Sequence, residues 1–253
     1  MTTVTFMSLR FHEISESRHR ILNPLSPEKL RLVGEICALD DSMELLDLCC
    51  GKAEMLCTWA AAYGSSGLGI DISGVFLGAA RQRAAELHVD HLVTLVEADA
   101  ARYVVDVDTS FHVVSCIGAT WIGDGLTGTL ELMRPRVKLS GLVLVGEPYW
   151  IDPLPESTVV PGVAEGEFTS LAGTLDRFES SGFELIEMVA ASPDDWDRYV
   201  AMQWKTVDDW LTSNPASPDA EALGEWIRAT RRSYLTIERR HLGWAVFVLR
   251  SRR

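Results

Sequence analysis

Three aspartates lie at the ends of short apolar runs in the N-terminal half of the chain. Asp47 and Asp71 each lie at the end of such a run, and Asp99 follows a third one. The separation of Asp47 from Asp71 is close to the interval of about 20 residues after which an acidic side chain meets ribose hydroxyls in nucleotide-binding sheets. Carboxylates accept strong hydrogen bonds from such hydroxyls. One aspartate of this kind is usually an ordinary exposed residue, but three at successive strand ends favour a binding site.

The segment 45–55, LLDLCCGKAEM, leads from the first apolar run through a tight turn into a helical pattern. In an open parallel sheet, ligands bind where strands end at such turns. A pyrophosphate would require the spacing G-x-G-x-x-G, whereas only Gly51 lies between Cys49 and Ala53. The loop therefore suits a ligand without phosphates better than a dinucleotide.

The elements that must position these residues alternate between strands and helices. This alternation predicts a mostly parallel α/β sheet with helices on both faces. The predicted strands are 44–49, 67–71, 92–96, 111–117, 141–146, 183–190 and 243–249. One helix begins at Ser26-Pro27, and the others are 52–63, 73–87, 126–138, 171–181, 194–212 and 218–240.

A long insertion, residues 192–242, separates the last two predicted strands and contains two helices divided by the breaker SNPASPD. It either covers a substrate or packs only on the sheet edge. Its first helix carries four aromatic residues on roughly one face, either as core or as a wall of the cleft. They are Trp196, Tyr199, Trp204 and Trp210.

Residues 47–54, DLCCGKAE, resemble motif I, D/E-x-G-x-G-x-G, of class I S-adenosylmethionine-dependent methyltransferases. The resemblance continues through GLGIDIS, VEADA, CIGATWI and GLVLVGEPYW and covers nearly the whole chain. With HRILNPLSPEKL, DDWDRY and GWAVFVL, the chain resembles a subgroup of uncharacterised bacterial small-molecule methyltransferases. This resemblance implies a Rossmann-like seven-stranded sheet of order 3-2-1-4-5-7-6 with an antiparallel seventh strand. It also implies S-adenosylmethionine as cofactor. We expect a single domain, 1–253, with an N-terminal helical segment, 1–40, that could fold over the cofactor.

The resemblance also assigns residues to parts of the cofactor. By this resemblance, Asp71 binds the ribose. The adenine is bound by Asp99, by the backbone N–H of Ala100 and by the apolar side chain of Ile72. The residues along the methionine portion are Asp47, Cys49, Cys50, Gly51, Cys116, Ile117 and Gly118.

Two residues depart from the motif, because Cys49 and Ala53 stand where its first and third glycines are expected. Glycine is used where φ is positive or where a ligand approaches the backbone closely. We therefore expect the loop to survive if φ is negative at both positions. Cys49-Cys50 could instead indicate a metal or redox site, but the spacing is not C-x-x-C and no histidine pair accompanies it. Small buried thiols are the better interpretation, and no metal is predicted.

Four residues are candidates for binding or deprotonating the molecule that accepts the methyl group. Glu147 and Tyr149, in EPYW just past the fifth predicted strand, could orient or deprotonate an acceptor, or Glu147 could only cap a loop. Trp121 is either a pocket wall or core, and His19 is either a base near neutral pH or an exposed side chain. No [ND]-P-P-[FYW] motif follows the fourth strand and no magnesium-binding acidic cluster is recognisable, which argues against nucleobase amino and catechol methylation.

Composition limits the other function classes. The chain has 253 residues, is 47% hydrophobic and carries a formal net charge of −13. This negative charge argues against nucleic acid, since phosphates repel such a surface. No apolar run is long enough to span a membrane, no secretory signal is recognisable, and five cysteines are too few for a disulfide framework. We therefore expect a cytoplasmic protein, monomer or homodimer, with a small-molecule acceptor.

Two other functions remain open on the sequence alone. A non-catalytic protein that binds S-adenosylmethionine or S-adenosylhomocysteine would explain the altered glycines of the loop. A nucleotide-dependent oxidoreductase is disfavoured by the missing phosphate loop.

Overall fold

A seven-stranded sheet organises the chain in the computed structural model, which describes residues 3–103, 109–154, 160, 163 and 166–252. Its strand order is 3-2-1-4-5-7-6, as predicted. Strands β1 to β5 are parallel, and β7 is antiparallel to both β5 and β6. The strands are β1 Glu44–Leu48, β2 Ser66–Asp71, β3 Val93–Glu97, β4 Phe111–Ile117, β5 Val137–Trp150, β6 Phe183–Ala190 and β7 Leu242–Ser251.

Helices precede the sheet and alternate with its strands. They are α1 Thr3–Ser15, α2 Pro27–Ile36, α3 Glu54–Tyr63, α4 Gly74–Glu86, α5 Leu126–Met133, α6 Leu171–Ser180, α7 Pro193–Ser213, α8 Ala220–Ser233 and the short α9 Arg239–His241. A wider π-type turn, Tyr234–Glu238, joins α8 to α9. None of the helices in the described ranges is long and apolar enough to cross a lipid bilayer.

The central strand β1 is buried on both faces, which explains its continuous apolar sequence. Because side chains alternate along a strand, Leu45 packs in a cluster that contains Trp59 of α3. Its neighbour Leu46 packs on the opposite face, in a cluster that contains Leu130 of α5 and Phe178 of α6. This double burial fixes β1 and therefore the position at which the chain leaves its carboxyl end.

A third apolar cluster joins α1 to the long insertion. Phe11 and Ile14 of α1 pack with Val207 of α7 and with Leu223 and Ile227 of α8. The insertion helices thus bury an apolar face against the N-terminal helix. This cluster is separate from the two clusters on the faces of the sheet. The N-terminus and the insertion form one helical layer.

Strand β5 is longer than predicted, and the predicted helix 126–138 is shorter. Helix α5 ends at Met133, because Pro135 supports only a single 3₁₀ turn, Arg134–Arg136. At its other end, β5 continues to pair with β7 as far as Trp150, opposite Leu242. The segment EPYW therefore lies within the strand, and the expectation that it forms a loop past the strand end is wrong.

Candidate functional site

The loop after β1 has a left-handed backbone at every second residue. The φ angles are +61° at Cys49, +54° at Gly51 and +49° at Ala53. The condition under which the loop was expected to survive, negative φ at Cys49 and Ala53, is therefore not met, and the loop keeps its shape with positive φ at both residues. Each non-glycine residue in this region costs on the order of 1–2 kcal/mol, so the fold holds the motif's backbone shape even where the glycines are replaced.

The carboxylate of Asp71, at the end of β2, holds this loop in place. Its Oδ2 accepts a hydrogen bond of 2.7 Å from Gly51 N, and its Oδ1 accepts one of 2.8 Å from Ser73 N. Asp71 is buried, and burial raises the pKa of its carboxyl group despite these bonds. Each oxygen has a second lone pair, so the group can still accept bonds from hydroxyls of a ligand.

Asp47 is a second buried carboxyl beside the loop. Ser115 of β4 donates a hydrogen bond of 2.7 Å to its Oδ1. Burial raises the pKa of Asp47 to about 7, and the nearby charge of Asp71 adds to the effect. A cationic group bound at this position would favour the ionised carboxylate.

Asp99, which follows β3, is the third of the aspartates at strand ends. Asp99 Oδ1 accepts a hydrogen bond of 3.0 Å from Ala101 N, while Arg102 approaches its Oδ2 at 3.5 Å. Ala100 is buried, but the apolar side chain of Ile72 is 52% exposed beside Asp71 and offers a surface for stacking.

Three cysteine thiols lie near the carboxyl end of β1. Cys116 of β4 is fully buried, and the neighbouring Cys49 thiol and burial both raise the pKa of its thiol. Burial raises the pKa of the Cys50 thiol, which lies against Gly69 of β2. The thiols of Cys50 and Cys116 are therefore protonated near neutral pH. Across the described part of the chain, no group of three or more side chains could hold a metal ion.

Residues 16–23, which we call the N-terminal cover, lie across this loop and the end of β4. A Cβ atom on Gly51 would lie 2.7 Å from Leu22 Cδ1, and one on Gly118 would lie 2.1 Å from Asn23 Oδ1. Asn23 also donates a hydrogen bond of 3.3 Å to the carbonyl of Ile117. The two glycines are thus needed for the close approach of the cover.

Lys52, Glu16 and Asn23 were not predicted as site residues. Lys52 occupies a variable position of the motif, and Glu16 and Asn23 belong to no motif. Only the three-dimensional contacts of the cover reveal them. The nearest signal in the sequence was the predicted covering role of the segment 1–40.

Glu147 is the most unusual group on the acceptor side. It is only 2% exposed, and Thr120 donates a hydrogen bond of 2.6 Å to its Oε2. Burial raises the pKa of Glu147 to about 7, against the opposing effects of the Thr120 bond and the charge of Arg177. Glu147 lies in strand β5, and its bond to Thr120 ties it to the 3₁₀ turn after β4, so both predicted roles, proton acceptor and loop cap, stay predictions.

The other acceptor candidates separate into exposed and buried groups. Trp121, in the 3₁₀ turn after β4, is 68% exposed, so it is not core. Tyr149 is buried and packs against the backbone at Gly243. His19 is buried rather than exposed, with Nε2 3.0 Å from Tyr199 O and Nδ1 3.0 Å from Glu16 Oε2.

The aromatic stripe of α7 has more than one environment. Trp204 and Trp210 pack at the margin of the α1–α7–α8 cluster, and Trp196 packs at the margin of the sheet core. Tyr199 instead packs edge-on against His19, with ring centroids 4.9 Å apart. Most of the stripe is therefore packing, and only Tyr199 reaches the cover.

Comparison with known proteins identifies the family. A family model described as a methyltransferase domain matches residues 45–139. The uncharacterized protein YjhP of Escherichia coli K12 is 39% identical over 96% of this chain and 98% of its own length. Two solved structures that match 96% of this chain at 39% identity are S-adenosylmethionine-dependent methyltransferases. The chain belongs to the S-adenosylmethionine-dependent methyltransferases. Membership confirms the predicted enzyme class and the methyl donor after which the family is named.

Solved structures agree with this family. A methyltransferase from Geobacter sulfurreducens in complex with S-adenosylhomocysteine superposes with a TM-score of 0.87, and one from Thiobacillus denitrificans in the same complex with 0.89. Each is 39% identical to our methyltransferase and covers 96% of it, with 98% of its own chain matched. The fold predicted from the sequence is confirmed.

The loop residues of this methyltransferase fit such a cofactor. Asp71 and Asp99 offer acceptors for hydroxyl and amino groups, Asp47 offers a buried carboxyl beside the loop, and Ile72 offers an exposed apolar surface. No basic phosphate cradle is required, since the cofactor contains no phosphate.

The positive φ at Cys49 predicts an asymmetric response to substitution. Cys49→Val should destabilise the protein by about 1–3 kcal/mol, because a β-branched side chain is strained at positive φ. Cys49→Gly should be neutral or stabilise by up to about 1 kcal/mol. Urea unfolding measures both values. Cys37→Val, a buried cysteine with an ordinary φ of −70°, is the control, and equal effects of valine at both positions would contradict the strain.

The raised pKa of Glu147 predicts a stability that falls with pH. Because the folded protein holds this proton more tightly than the unfolded chain, the free energy of unfolding should decrease as pH rises from about 4.5 to about 7. Glu147→Gln keeps an acceptor for Thr120 and removes this loss. The variant should therefore gain on the order of 3 kcal/mol relative to wild type between pH 5 and pH 8.

Urea unfolding at both pH values measures this gain. Glu184→Gln on β6, whose carboxyl group is exposed, should follow the wild-type pH profile. A constant difference between wild type and Glu147→Gln across this range would show that Glu147 is not protonated in the folded protein.

Proposed function

We propose that this methyltransferase transfers the methyl group of S-adenosylmethionine to an oxygen or nitrogen atom of a small organic molecule. The observation that carries this proposal is the buried carboxyl of Glu147, with a pKa of about 7, beyond the cofactor residues. A carboxyl with this pKa accepts a proton from a nucleophile near neutral pH. Oxygen and nitrogen acceptors release such a proton as they are methylated.

The cofactor supplies a methyl group on a sulfonium, and the protein residues hold and align the reactants. We assign the ribose to Asp71, which is already fixed by Gly51 N and Ser73 N. Asp99 and the backbone of Ala100 bind the adenine, with Ile72 stacked on its face. Such fixed alignment converts a bimolecular step into an effectively unimolecular one.

The methionine end would lie between the loop and the end of β4. Its binding residues are the predicted ones, namely Asp47, Cys49, Cys50, Gly51, Cys116, Ile117 and Gly118. Asp47 supplies the negative charge for an ammonium group. The protonated thiols of Cys50 and Cys116 supply small apolar walls without a competing nucleophile.

Glu147 acts in this proposal as the proton acceptor, held in one orientation by Thr120. Trp121 follows Thr120 directly, and its exposed indole forms a wall for the acceptor. Tyr149, two residues beyond Glu147, supports this wall from the core. His19 has both ring nitrogens facing protein atoms, so we assign it to closing the cover rather than to proton transfer.

The proposed partners follow from charge and size. The acidic surface favours a small neutral or cationic acceptor over nucleic acid. The cytoplasmic location and the monomer or homodimer state remain predictions from the sequence.

Asp99→Asn is the sharpest test of the cofactor site, because Asp71 also holds the loop and its loss would disturb the backbone. S-adenosylhomocysteine should bind to the wild type, and Asp99→Asn should weaken binding by about ten- to a hundredfold, or 1.5–3 kcal/mol. Isothermal titration calorimetry measures both. Asp176→Asn on the exposed surface of α6 is the control and should bind like wild type.

Turnover is tested with methyl-labelled donor and a panel of small alcohols, phenols and amines. Transfer to one class, reduced in Glu147→Gln, supports the proposal. Tight binding of S-adenosylhomocysteine with no transfer to any acceptor would favour the alternative of a non-catalytic cofactor-binding protein. An absence of binding by the wild type would refute the proposed site.

A further inference from the structure

Lys52 lies within the loop after β1, residues 49–53, which we call the cofactor loop. It binds three backbone carbonyls of the N-terminal cover. Its Nζ donates hydrogen bonds of 2.7 Å to Glu16 O, 2.9 Å to Ser17 O and 2.6 Å to His19 O. A lysine ammonium has three donors, so this side chain is fully satisfied by the cover. It is only 8% exposed, and bonds from a charged donor are roughly twice as strong as neutral ones.

The position of Lys52 in the chain ties these bonds to the shape of the loop. The preceding residue, Gly51, is held through its N–H by Asp71, and the following residue, Ala53, is left-handed at the start of α3. The loop backbone therefore directs the ammonium group toward the cover. Lys52 couples the conformation of the loop to the position of the cover, in addition to the contact of Leu22 with Gly51.

The far side of the cover is attached to the insertion. Glu16 is buried, and its Oε1 accepts a hydrogen bond of 2.7 Å from the Tyr199 hydroxyl and another from the Gln203 amide. The Tyr199 hydroxyl also lies 3.1 Å from Leu22 O. The cover is thus bonded to the cofactor loop on one side and to helix α7 on the other.

The cover encloses the end of the site that lies between the loop and β4. Leu22 lies over Gly51, and Asn23 lies over Gly118. A molecule held between these glycines can neither enter nor leave by that side while the cover is closed. Exchange there requires the cover to move, which breaks the buried bonds of Lys52 and Glu16 and also the bonds of Arg18 to Asp209, Arg20 to Glu86 and Asn23 to Ile117 O.

We propose that Lys52 is the positioning residue that keeps the N-terminal cover closed over the bound cofactor, so that breaking its three bonds limits cofactor release. This inference rests on the proposed function, since it requires the cofactor at this loop. A lysine suits the role because its compact ammonium meets three carbonyls that converge on one point. Arginine, with its planar fork, would meet them poorly.

Lys52→Met removes the three bonds and keeps the length and the apolar stem of the side chain. We expect S-adenosylhomocysteine to dissociate at least tenfold faster from this variant in stopped-flow displacement, with a smaller change in the association rate. Lys52→Arg should give an intermediate rate. Hydrogen–deuterium exchange of residues 16–23 should accelerate in Lys52→Met even without ligand.

The matched control is Lys29→Met, which breaks the bond of a different, partly buried lysine to α7. Lys29 Nζ lies 2.5 Å from Asp195 Oδ2, in a contact between α2 and α7 that does not involve the cofactor loop. This variant should release S-adenosylhomocysteine at the wild-type rate. Faster release from both variants to the same degree would indicate general destabilisation and would overturn the specific role of Lys52.

Tyr199→Phe provides a second test if Lys52→Met does not fold. It removes the hydroxyl that holds Glu16 and keeps the ring against His19. Faster release and faster exchange of residues 16–23 support the proposal, whereas unchanged rates of both in folded variants overturn it. Because exchange is measured without ligand, it tests the closed cover even if the wild type fails to bind S-adenosylhomocysteine, a result that would refute the proposed function instead.

Discussion

The hydrogen bond from Gly51 N to the carboxylate of Asp71 is the contact on which the site depends. It joins the loop after β1 to the end of β2, and the same carboxylate binds Ser73 N at the start of α4. The backbone at Cys49, Gly51 and Ala53 is left-handed around this contact. Since such a backbone is unfavourable for cysteine and alanine, an external anchor is needed to keep it. The buried carboxylate supplies that anchor, and the direction of Lys52 follows from it.

Much of the fold could be predicted from the sequence because each signal was local. The apolar run of β4, Phe111–Ile117, and that of β6, Phe183–Ala190, have the bounds that their sequences predict. The predicted fifth strand ends too early, at Gly146, where the apolar run gives way to Glu147 and Pro148. Beyond Gly146, β5 no longer pairs with β4 in the described structure, and it continues along β7, with a single isolated bridge from Trp150 to Ser170 on its other side. Proline is tolerated in such an edge-like segment, which a local pattern does not reveal.

The site also contains residues that could be predicted from the sequence and residues that could not. The strand-end aspartates could be found because their spacing reflects the topology of parallel sheets. The role of Lys52 could not, because its three partners are backbone carbonyls, which every residue possesses and no sequence pattern marks. The burial of His19 was also hidden, since it results from Tyr199 on a helix far along the chain. The left-handed loop is an intermediate case, because the missing glycines themselves marked the positions where positive φ was required.

The bond between Glu16 and Tyr199 joins residues separated by 183 positions. During synthesis, the strands and the loop that form the cofactor site emerge long before helix α7 does. The N-terminal segment therefore has no partner on its far side until most of the chain has left the ribosome. Contacts between such distant residues form late, because the entropy of closing the intervening chain must be overcome first. Until then the cover is held only on the side of the loop, by Lys52 and by the bond from Asn23 to Ile117 O, and its second attachment forms only when α7 is present.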